Sequence, residues 1–173
     1  MIARTDGTRM VGVYHHWDSY PSGVGAMLYK LYNGHFQRDS KAMLDVLVDQ
    51  HPAGWSSIND ADFSLAPGWS SFLYDGGTGK AFNRFEYERQ LAAYEQTEQA
   101  RRPHCYCHGE RREAGRLLSS FADAANSGAE YAYVIDIHTD TMRISACSGN
   151  EWREIAQVVL YEAEPDWEKL NSK

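Results

Sequence analysis

The sequence is poor in cysteine, with three in 173 residues, and two of them lie one residue apart as Cys105 and Cys107. A disulfide framework uses an even set of cysteines, so a small scaffold held together by disulfides is excluded. A chain of this length buries about 70% of the surface that its unfolded form exposes, and it can therefore hold a core without disulfide bonds. We expect a reducing compartment and hence a cytoplasmic protein.

Long apolar runs and an excess of positive charge are also missing. No stretch approaches the roughly 20 apolar residues of a membrane helix, and the N-terminus shows no signal-peptide core. The 17 Lys and Arg residues stand against 24 Asp and Glu residues, which gives a net charge of −7. Duplex nucleic acid is bound mainly through basic surfaces. The sequence therefore predicts no membrane contact and no general binding to duplex nucleic acid.

Three segments carry apolar residues at helical spacing and are predicted to be helices. They are 22–32, 39–50 and 116–128. Their apolar stripes consist of Val24, Met27, Leu28 and Leu31, then Met43, Leu44, Leu47 and Val48, and finally Leu117, Leu118, Phe121 and Ala125. Each helix is expected to pack its stripe against a sheet.

Two hairpins are predicted from short β-rich runs on either side of turn residues. Asp6-Gly7 separates the runs of the first hairpin, and His138-Thr139-Asp140 separates those of the second. Apolar residues lie on both faces of 131–135, which is typical of an interior strand.

These elements indicate a single compact α+β domain, an antiparallel sheet with helices packed on it. The domain spans 1–165, and 166–173 is expected to be a loose C-terminal tail. The run 151–161 fits either a third strand that follows the second hairpin or a helix, because its periodicity does not distinguish the two.

The stretch YHHWDSYPSGVG, residues 14–25, concentrates side chains that are typical of binding surfaces. An aromatic ring can stack on a flat ligand, and an imidazole can hydrogen-bond to a phosphate or a carboxylate. Backbone N–H groups at a helix start attract anions where glycine leaves them uncovered. The candidate ligand-binding residues of this stretch are His16, Trp17, Asp18, Tyr20, Gly23 and Gly25.

A structural turn would explain the same stretch equally well. Trp17 would then pack in the core, and Asp18 would cap the following helix. In a binding site, Asp18 could cap that helix or orient His16. The glycine spacing matches neither a P-loop nor a dinucleotide-binding fingerprint. The run DGGTGK at 75–80 has the residue types of a phosphate loop without its spacing, and we interpret it as a flexible turn.

A second cluster, HCYCHGERR at 104–112, carries potential metal ligands. In an extended strand, Cys105 and Cys107 share one face, and two thiolates with an imidazole suit tetrahedral zinc. The candidate metal ligands are Cys105, Cys107 and His108, with Cys147 or a histidine of the first motif completing the shell. In the alternative, the two cysteines are buried in a core strand and the protein has no cofactor.

The same cluster also extends the candidate ligand-binding set. Arg111 presents a planar fork that binds phosphate or carboxylate groups in a bidentate manner. Its acidic neighbours Glu110 and Glu113 could instead form a solvated salt-bridge surface with it. The residues added to the ligand-binding set are Tyr106, His108 and Arg111.

The two clusters together resemble the HWDGYP and CYCHGDR motifs of a family of small uncharacterised proteins. Bacteriophages, plasmids and other mobile elements encode this family, often in actinobacteria. The resemblance covers roughly residues 14–136, with a variable middle, and Ser19 and Glu110 stand where the family has Gly and Asp. It implies no activity, but it implies that both motifs contribute to one shared site.

Three functions are compatible with these residues. The sequence favours a non-enzymatic binding protein for a small anionic, nucleotide-like ligand, which for a mobile-element protein could mean sequestering a defence signal of the host. The first alternative is a zinc-dependent hydrolase of phosphodiesters, with His16 and Asp18 joining the ligands of the second cluster. The second alternative is an interaction module for a host protein, which would bind through the acidic surface.

Overall fold

The computed structural model describes residues 1–70, 83–109 and 111–171. The flexible turn predicted at 75–80 lies outside these residues. In the described part of the chain, no helix has both the length and the apolar character needed to cross a membrane.

The main sheet has five strands in the order β2-β1-β5-β6-β7, and a second sheet pairs β3 with β4. The strands are β1 (Ile2–Thr5), β2 (Met10–Val13), β3 (Trp55–Ser57), β4 (His104–Cys105), β5 (Tyr131–Asp136), β6 (Thr141–Ser148) and β7 (Glu151–Val159). Only β1 and β5 run parallel in the main sheet, and its other neighbours are antiparallel. The predicted α+β class and antiparallel sheet are confirmed.

The helices of the described residues are α1 (Ala26–Asn33), α2 (Ser40–Leu44), α3 (Arg84–Glu95), α4 (Glu98–Arg101), α5 (Phe121–Asn126) and α6 (Trp167–Asn171). Among them, α1 and α2 bury the apolar stripes predicted for them in the large core cluster, whereas α3 and α4 bury no side chain. Wide π-helical turns at Pro21–Gly25 and Asp45–Asp49 precede α1 and follow α2. All eight residues of the first two predicted stripes are buried, so these two helices were predicted correctly.

The predicted second hairpin is formed by β5 and β6, and β5 is an interior strand between β1 and β6. Its two faces contact two separate apolar clusters. Tyr133 and Ile135 belong to the large cluster beneath α1 and α2, whereas Ala132 and Val134 belong to a smaller one beside α5. The run 151–161, which the sequence leaves open between strand and helix, contains the edge strand β7.

The predicted helix at 116–128 is shorter than its apolar pattern suggests. The Ser120 hydroxyl accepts the backbone N–H of Asp123 and caps a helix that begins only at Phe121. Upstream, Leu118 exchanges two backbone hydrogen bonds of 2.8 Å with Gly12 at the edge of the sheet, and Leu117 is exposed. The pairing of Leu118 with β2 therefore holds this segment in an extended conformation.

Within the described residues, 167–171 pack on the fold and do not form the loose tail that the sequence predicts for 166–173. Trp167 and Leu170 of α6 are buried in the large cluster. The Asn171 side chain accepts the Ser22 N–H at 3.0 Å and donates to the Ser22 hydroxyl at 2.8 Å. The apolar face of α6 is short, which explains why the sequence pattern did not reveal it.

Candidate functional site

The small second sheet brings the two motif segments next to each other. After β2 the chain runs beside β3, where His16 N–H donates to Trp55 O and Trp17 N–H donates to Ser56 O, both at 3.0 Å. On its other side β3 pairs with β4, and Trp55 is the partner of Cys105. Two segments that are about ninety residues apart in sequence therefore flank one strand.

A direct side-chain contact joins the two motifs. The Nδ1 atom of His16 lies 3.0 Å from the hydroxyl of Tyr106, with the donor set by the imidazole tautomer. His16 is exposed, whereas Tyr106 is 94% buried. The contact therefore joins a surface histidine to a tyrosine that the protein interior holds in place. We name the group of His16, Trp17, Tyr106 and Arg111 the motif surface.

Trp17 lies on the outside of the protein, contrary to the alternative in which it packs in the core. Its side chain is 54% exposed, and its ring stacks on His16 with centroids 4.4 Å apart and an interplanar angle of 12°. Tyr20 is also exposed, and its hydroxyl donates to the Asp18 carboxylate at 3.2 Å. The Asp18 carboxylate therefore does not cap the following helix, because it contacts Tyr20. The backbone carbonyl of Asp18 accepts the Val24 N–H instead.

Arg111 lies over two aromatic rings. Its guanidinium carbon is 4.6 Å from the ring centroid of Tyr106 and 4.8 Å from that of Trp69, and the same side chain forms an ion pair with Glu113. Both cation–π contacts favour a fixed orientation of the guanidinium plane. Trp69 was not selected from the sequence, because only the tertiary fold brings it beside Tyr106.

The predicted anion contact at the start of the first helix is replaced by contacts within the protein. Ser22 N–H donates to Asn171 Oδ1, Gly23 N–H donates to Tyr20 O and Val24 N–H donates to Asp18 O. A Cβ atom on Gly23 would lie 2.1 Å from Asp18 O, and one on Gly25 would lie 3.0 Å from the Trp167 ring. These two glycines therefore permit close packing, and we leave them out of the ligand-binding surface.

The first motif also contains a buried histidine that fixes its conformation. His15 Nε2 accepts Ile58 N–H at 3.3 Å, and its Nδ1 is 2.9 Å from the Ser19 hydroxyl. Burial lowers the pKa of His15 to about 3. The imidazole is therefore neutral in the folded protein over the physiological range, and the Ser19 hydroxyl contacts it.

This depressed pKa predicts that acid destabilises the fold. Above the ordinary histidine pKa of about 6.5, His15 is neutral in both states and its contribution to stability is fully present. As the pH falls from about 6.5 toward 3, only the unfolded chain takes up the proton, and His15 lowers the free energy of unfolding by up to about 1.4 kcal/mol per pH unit. Urea unfolding at a series of pH values measures this slope.

A His15→Gln variant is the control, because glutamine keeps an acceptor for Ile58 N–H and does not titrate. Its stability is expected to fall less steeply between pH 6.5 and 4 than that of the wild type. Equal slopes for the two proteins would contradict the assignment of a depressed pKa to His15.

A second group of side chains lies around β4, apart from the contacts of the motif surface. His51, Cys105 and His108 each offer one ligand atom, and these three atoms all lie within 4.8 Å of one another. Cys105 Sγ is 3.0 Å from His108 Nδ1. His51 and Cys105 are buried and His108 is exposed. We name this group the His-Cys-His cluster.

The membership of this cluster differs from the predicted ligand set of Cys105, Cys107 and His108. Cys107 Sγ instead accepts the Ala53 N–H at 3.3 Å. The strict alternation of an extended strand fails here because β4 ends at Cys105 and the chain bends at 106–108. The bend turns His108 back toward Cys105, and His51 follows the π-helical turn after α2, a position that carried no motif.

The buried members of the cluster have shifted pKa values. Burial raises the pKa of the Cys105 thiol to about 11. Burial also lowers the pKa of His51, with a smaller contribution from the nearby His108, although the hydrogen bond to Val46 O acts in the opposite direction. Without a bound cation, burial therefore favours the neutral forms of the Cys105 thiol and the His51 imidazole.

No protein-family model, no curated protein and no solved structure matches this chain. The resemblance of its two motifs to the mobile-element family therefore remains a prediction from the sequence.

Proposed function

We propose that this chain is a non-enzymatic binding protein for a small anionic ligand that carries an aromatic ring, such as a nucleotide. The observation that carries the proposal is the 3.0 Å contact between His16 and Tyr106, which joins the two motifs. Through this contact an exposed indole and a guanidinium belong to one continuous set of side chains. An aromatic face and a cation are the two groups that a nucleotide requires.

The ring of the ligand would stack on Trp17. This indole is more than half exposed and already lies flat against His16, so little side-chain freedom remains to be lost on binding. Stacking of a base on an aromatic side chain contributes about 1–3 kcal/mol. A pre-oriented tryptophan on the protein surface therefore supports recognition of a flat ring.

The anionic group of the ligand would bind to Arg111. The two aromatic rings orient its guanidinium plane, and Glu113 provides an internal carboxylate partner. Glu113 is substantially exposed, and exposed ion pairs contribute only about 0–1 kcal/mol. A phosphate that carries more charge and more acceptor oxygens than one carboxylate can therefore exchange with Glu113 at small cost.

The contacts of His16 and Asp18 favour binding over phosphodiester hydrolysis. A zinc-dependent hydrolase would need both side chains as metal ligands. His16 contacts Tyr106 and Trp17, and the Asp18 carboxylate accepts from Tyr20. Neither belongs to the His-Cys-His cluster. The resemblance to mobile-element proteins favours a role in sequestering the ligand, because a small binding protein without chemistry can lower the free concentration of a signal.

Calorimetry of the purified protein against a panel of mononucleotides and cyclic nucleotides tests the proposal. Trp17→Ala is expected to weaken binding about 5- to 150-fold, which corresponds to the loss of about 1–3 kcal/mol of stacking. Arg111→Ala is expected to weaken it to a similar extent, since hydrogen bonds to charged groups contribute about 1.5–3 kcal/mol. Arg111→Lys should recover only part of this loss, because lysine lacks the planar fork.

Two substitutions elsewhere on the surface serve as matched controls. Tyr161→Ala removes another exposed aromatic ring, and Arg116→Ala removes another arginine that is paired with a carboxylate. Both should leave nucleotide affinity unchanged. Absence of binding across the panel, or equal affinities for the Trp17 and Tyr161 variants, would show that the motif surface is not a nucleotide site.

A further inference from the structure

The His-Cys-His cluster has the composition of a metal centre that the motif surface does not require. A thiolate and two imidazoles are ligands that Zn²⁺ prefers, and three protein ligands leave one of its four tetrahedral positions open. The three residues come from separate parts of the chain, since His51 follows the turn after α2 whereas Cys105 and His108 belong to β4 and the bend after it.

The distances within the cluster fit one tetrahedral ion. Zn–S bonds of about 2.3 Å and Zn–N bonds of about 2.0–2.1 Å place sulfur and nitrogen ligands roughly 3.5 Å apart. The Cys105 Sγ to His108 Nδ1 distance is 3.0 Å, and all three ligand atoms lie within 4.8 Å of one another. Side-chain adjustments of about 1 Å would therefore bring them to bonding distance, with no rearrangement of the strand.

His51 is already oriented as a metal ligand. Its Nδ1 lies 2.6 Å from the carbonyl oxygen of Val46, so Nδ1 carries the hydrogen and Nε2 has the available lone pair. Its ring also packs against Trp55, with centroids 4.3 Å apart. A backbone carbonyl that accepts the second N–H of a ligating histidine is the usual outer hydrogen bond of such sites, and it fixes both the tautomer and the ring plane.

The cluster reaches solvent at His108. His51 and Cys105 are buried, while His108 is exposed. A cation held between them would be shielded on the side of the core and accessible on the side of His108. The fourth position would then be filled by water, in contrast to a structural zinc site, where four protein ligands close the shell.

From this geometry we infer that His51 Nε2, Cys105 Sγ and His108 Nδ1 bind one Zn²⁺ ion, with water as the fourth ligand. The site uses none of the four residues of the motif surface, so it goes beyond the proposed nucleotide binding and can fail independently of it. It also links the segment after α2 to the bend after β4, and zinc is therefore expected to stabilise the small sheet.

Cobalt substitution tests the site. The full chain is stripped of metal with a chelator, kept reduced and titrated with Co²⁺. We expect one Co²⁺ per chain, with a thiolate-to-cobalt charge-transfer band and the intense visible bands of tetrahedral geometry. Zn²⁺ should displace the cobalt and raise the melting temperature of the protein in proportion to its binding free energy.

Variants identify the ligands. Cys105→Ser should abolish the charge-transfer band, and His108→Ala should lower Zn²⁺ affinity by more than about 100-fold, because loss of an outer hydrogen bond alone costs about 10–100-fold. The matched controls are Cys107→Ala, whose sulfur contacts the Ala53 N–H, and His138→Ala, an exposed histidine in the β5–β6 turn. Both controls should bind Zn²⁺ like the wild type.

His108→Ala keeps the experiment decisive if Cys105→Ser fails to fold, since His108 is exposed and its loss leaves the core unchanged. Wild-type affinity in folded His108→Ala would overturn the site, and so would loss of the band in Cys107→Ala. Elemental analysis of protein from cells grown with zinc and copper should show zinc. Bound copper in place of zinc would overturn the assignment to zinc. Nucleotide binding that persists after the metal is removed would show that the motif surface acts without the zinc site, as expected from their separate residues.

Discussion

Replacing Trp55 with alanine is expected to lower the free energy of unfolding by about 4 kcal/mol, near the middle of the range for large aromatic residues in cores. Trp55 is fully buried, its indole N–H donates to Leu47 O at 2.8 Å and its ring packs on His51. The variant leaves a cavity and removes the indole donor from Leu47 O. For a chain of this size we expect the melting temperature to fall by roughly 8–16 °C, measured by calorimetry.

A second variant at this position and one surface control separate the contributions to the stability loss. Trp55→Phe keeps an aromatic ring but removes the donor to Leu47 O, and we expect it to cost about 1–3 kcal/mol. Trp17→Ala changes the same residue type on the surface and should alter stability by no more than about 0.5 kcal/mol. A Trp17 variant as unstable as the Trp55 variant would contradict the exposure that the nucleotide proposal requires.

Gly23→Ala is expected to cost about 3 kcal/mol, at the upper end for an overpacked position. The added methyl group would lie 2.1 Å from the carbonyl oxygen of Asp18, which is backbone and cannot move aside as a side chain can. That oxygen also accepts Val24 N–H and the Asn59 side chain. The turn between the first motif and α1 would have to open, and chemical denaturation with urea measures the loss.

Gly68→Ala is the matched control for this substitution. Its added methyl group would meet only the flexible side chain of Arg102, at 3.8 Å, and Gly68 does not have the positive φ that glycine favours. We expect a change within about 0.5 kcal/mol. If Gly23→Ala were as stable as Gly68→Ala, the glycines of the first motif would not be explained by close packing, and the anion contact at the helix start would return as their explanation.

The sequence predicted those parts of the fold in which hydrophobic spacing and local structure agree. The stripes of α1 and α2 are buried as expected, because each side chain is placed by the helix that carries it. The β5–β6 hairpin is confirmed for the same reason, since alternation along a strand is a local property. Where a distant partner competes with local preference, as when Gly12 pairs with Leu118, the predicted helix gives way to extended chain.

The candidate site depended much more on tertiary structure. The sequence by itself determined the α+β class, the two motif segments and the residue types suited to anions and zinc. Only the tertiary structure decided that His16 contacts Tyr106, that Trp69 lies beside Arg111 and that His51, not Cys107, completes the His-Cys-His cluster. The physical reason is that these contacts join residues held on different strands and turns, and their distances follow from how those elements pack together.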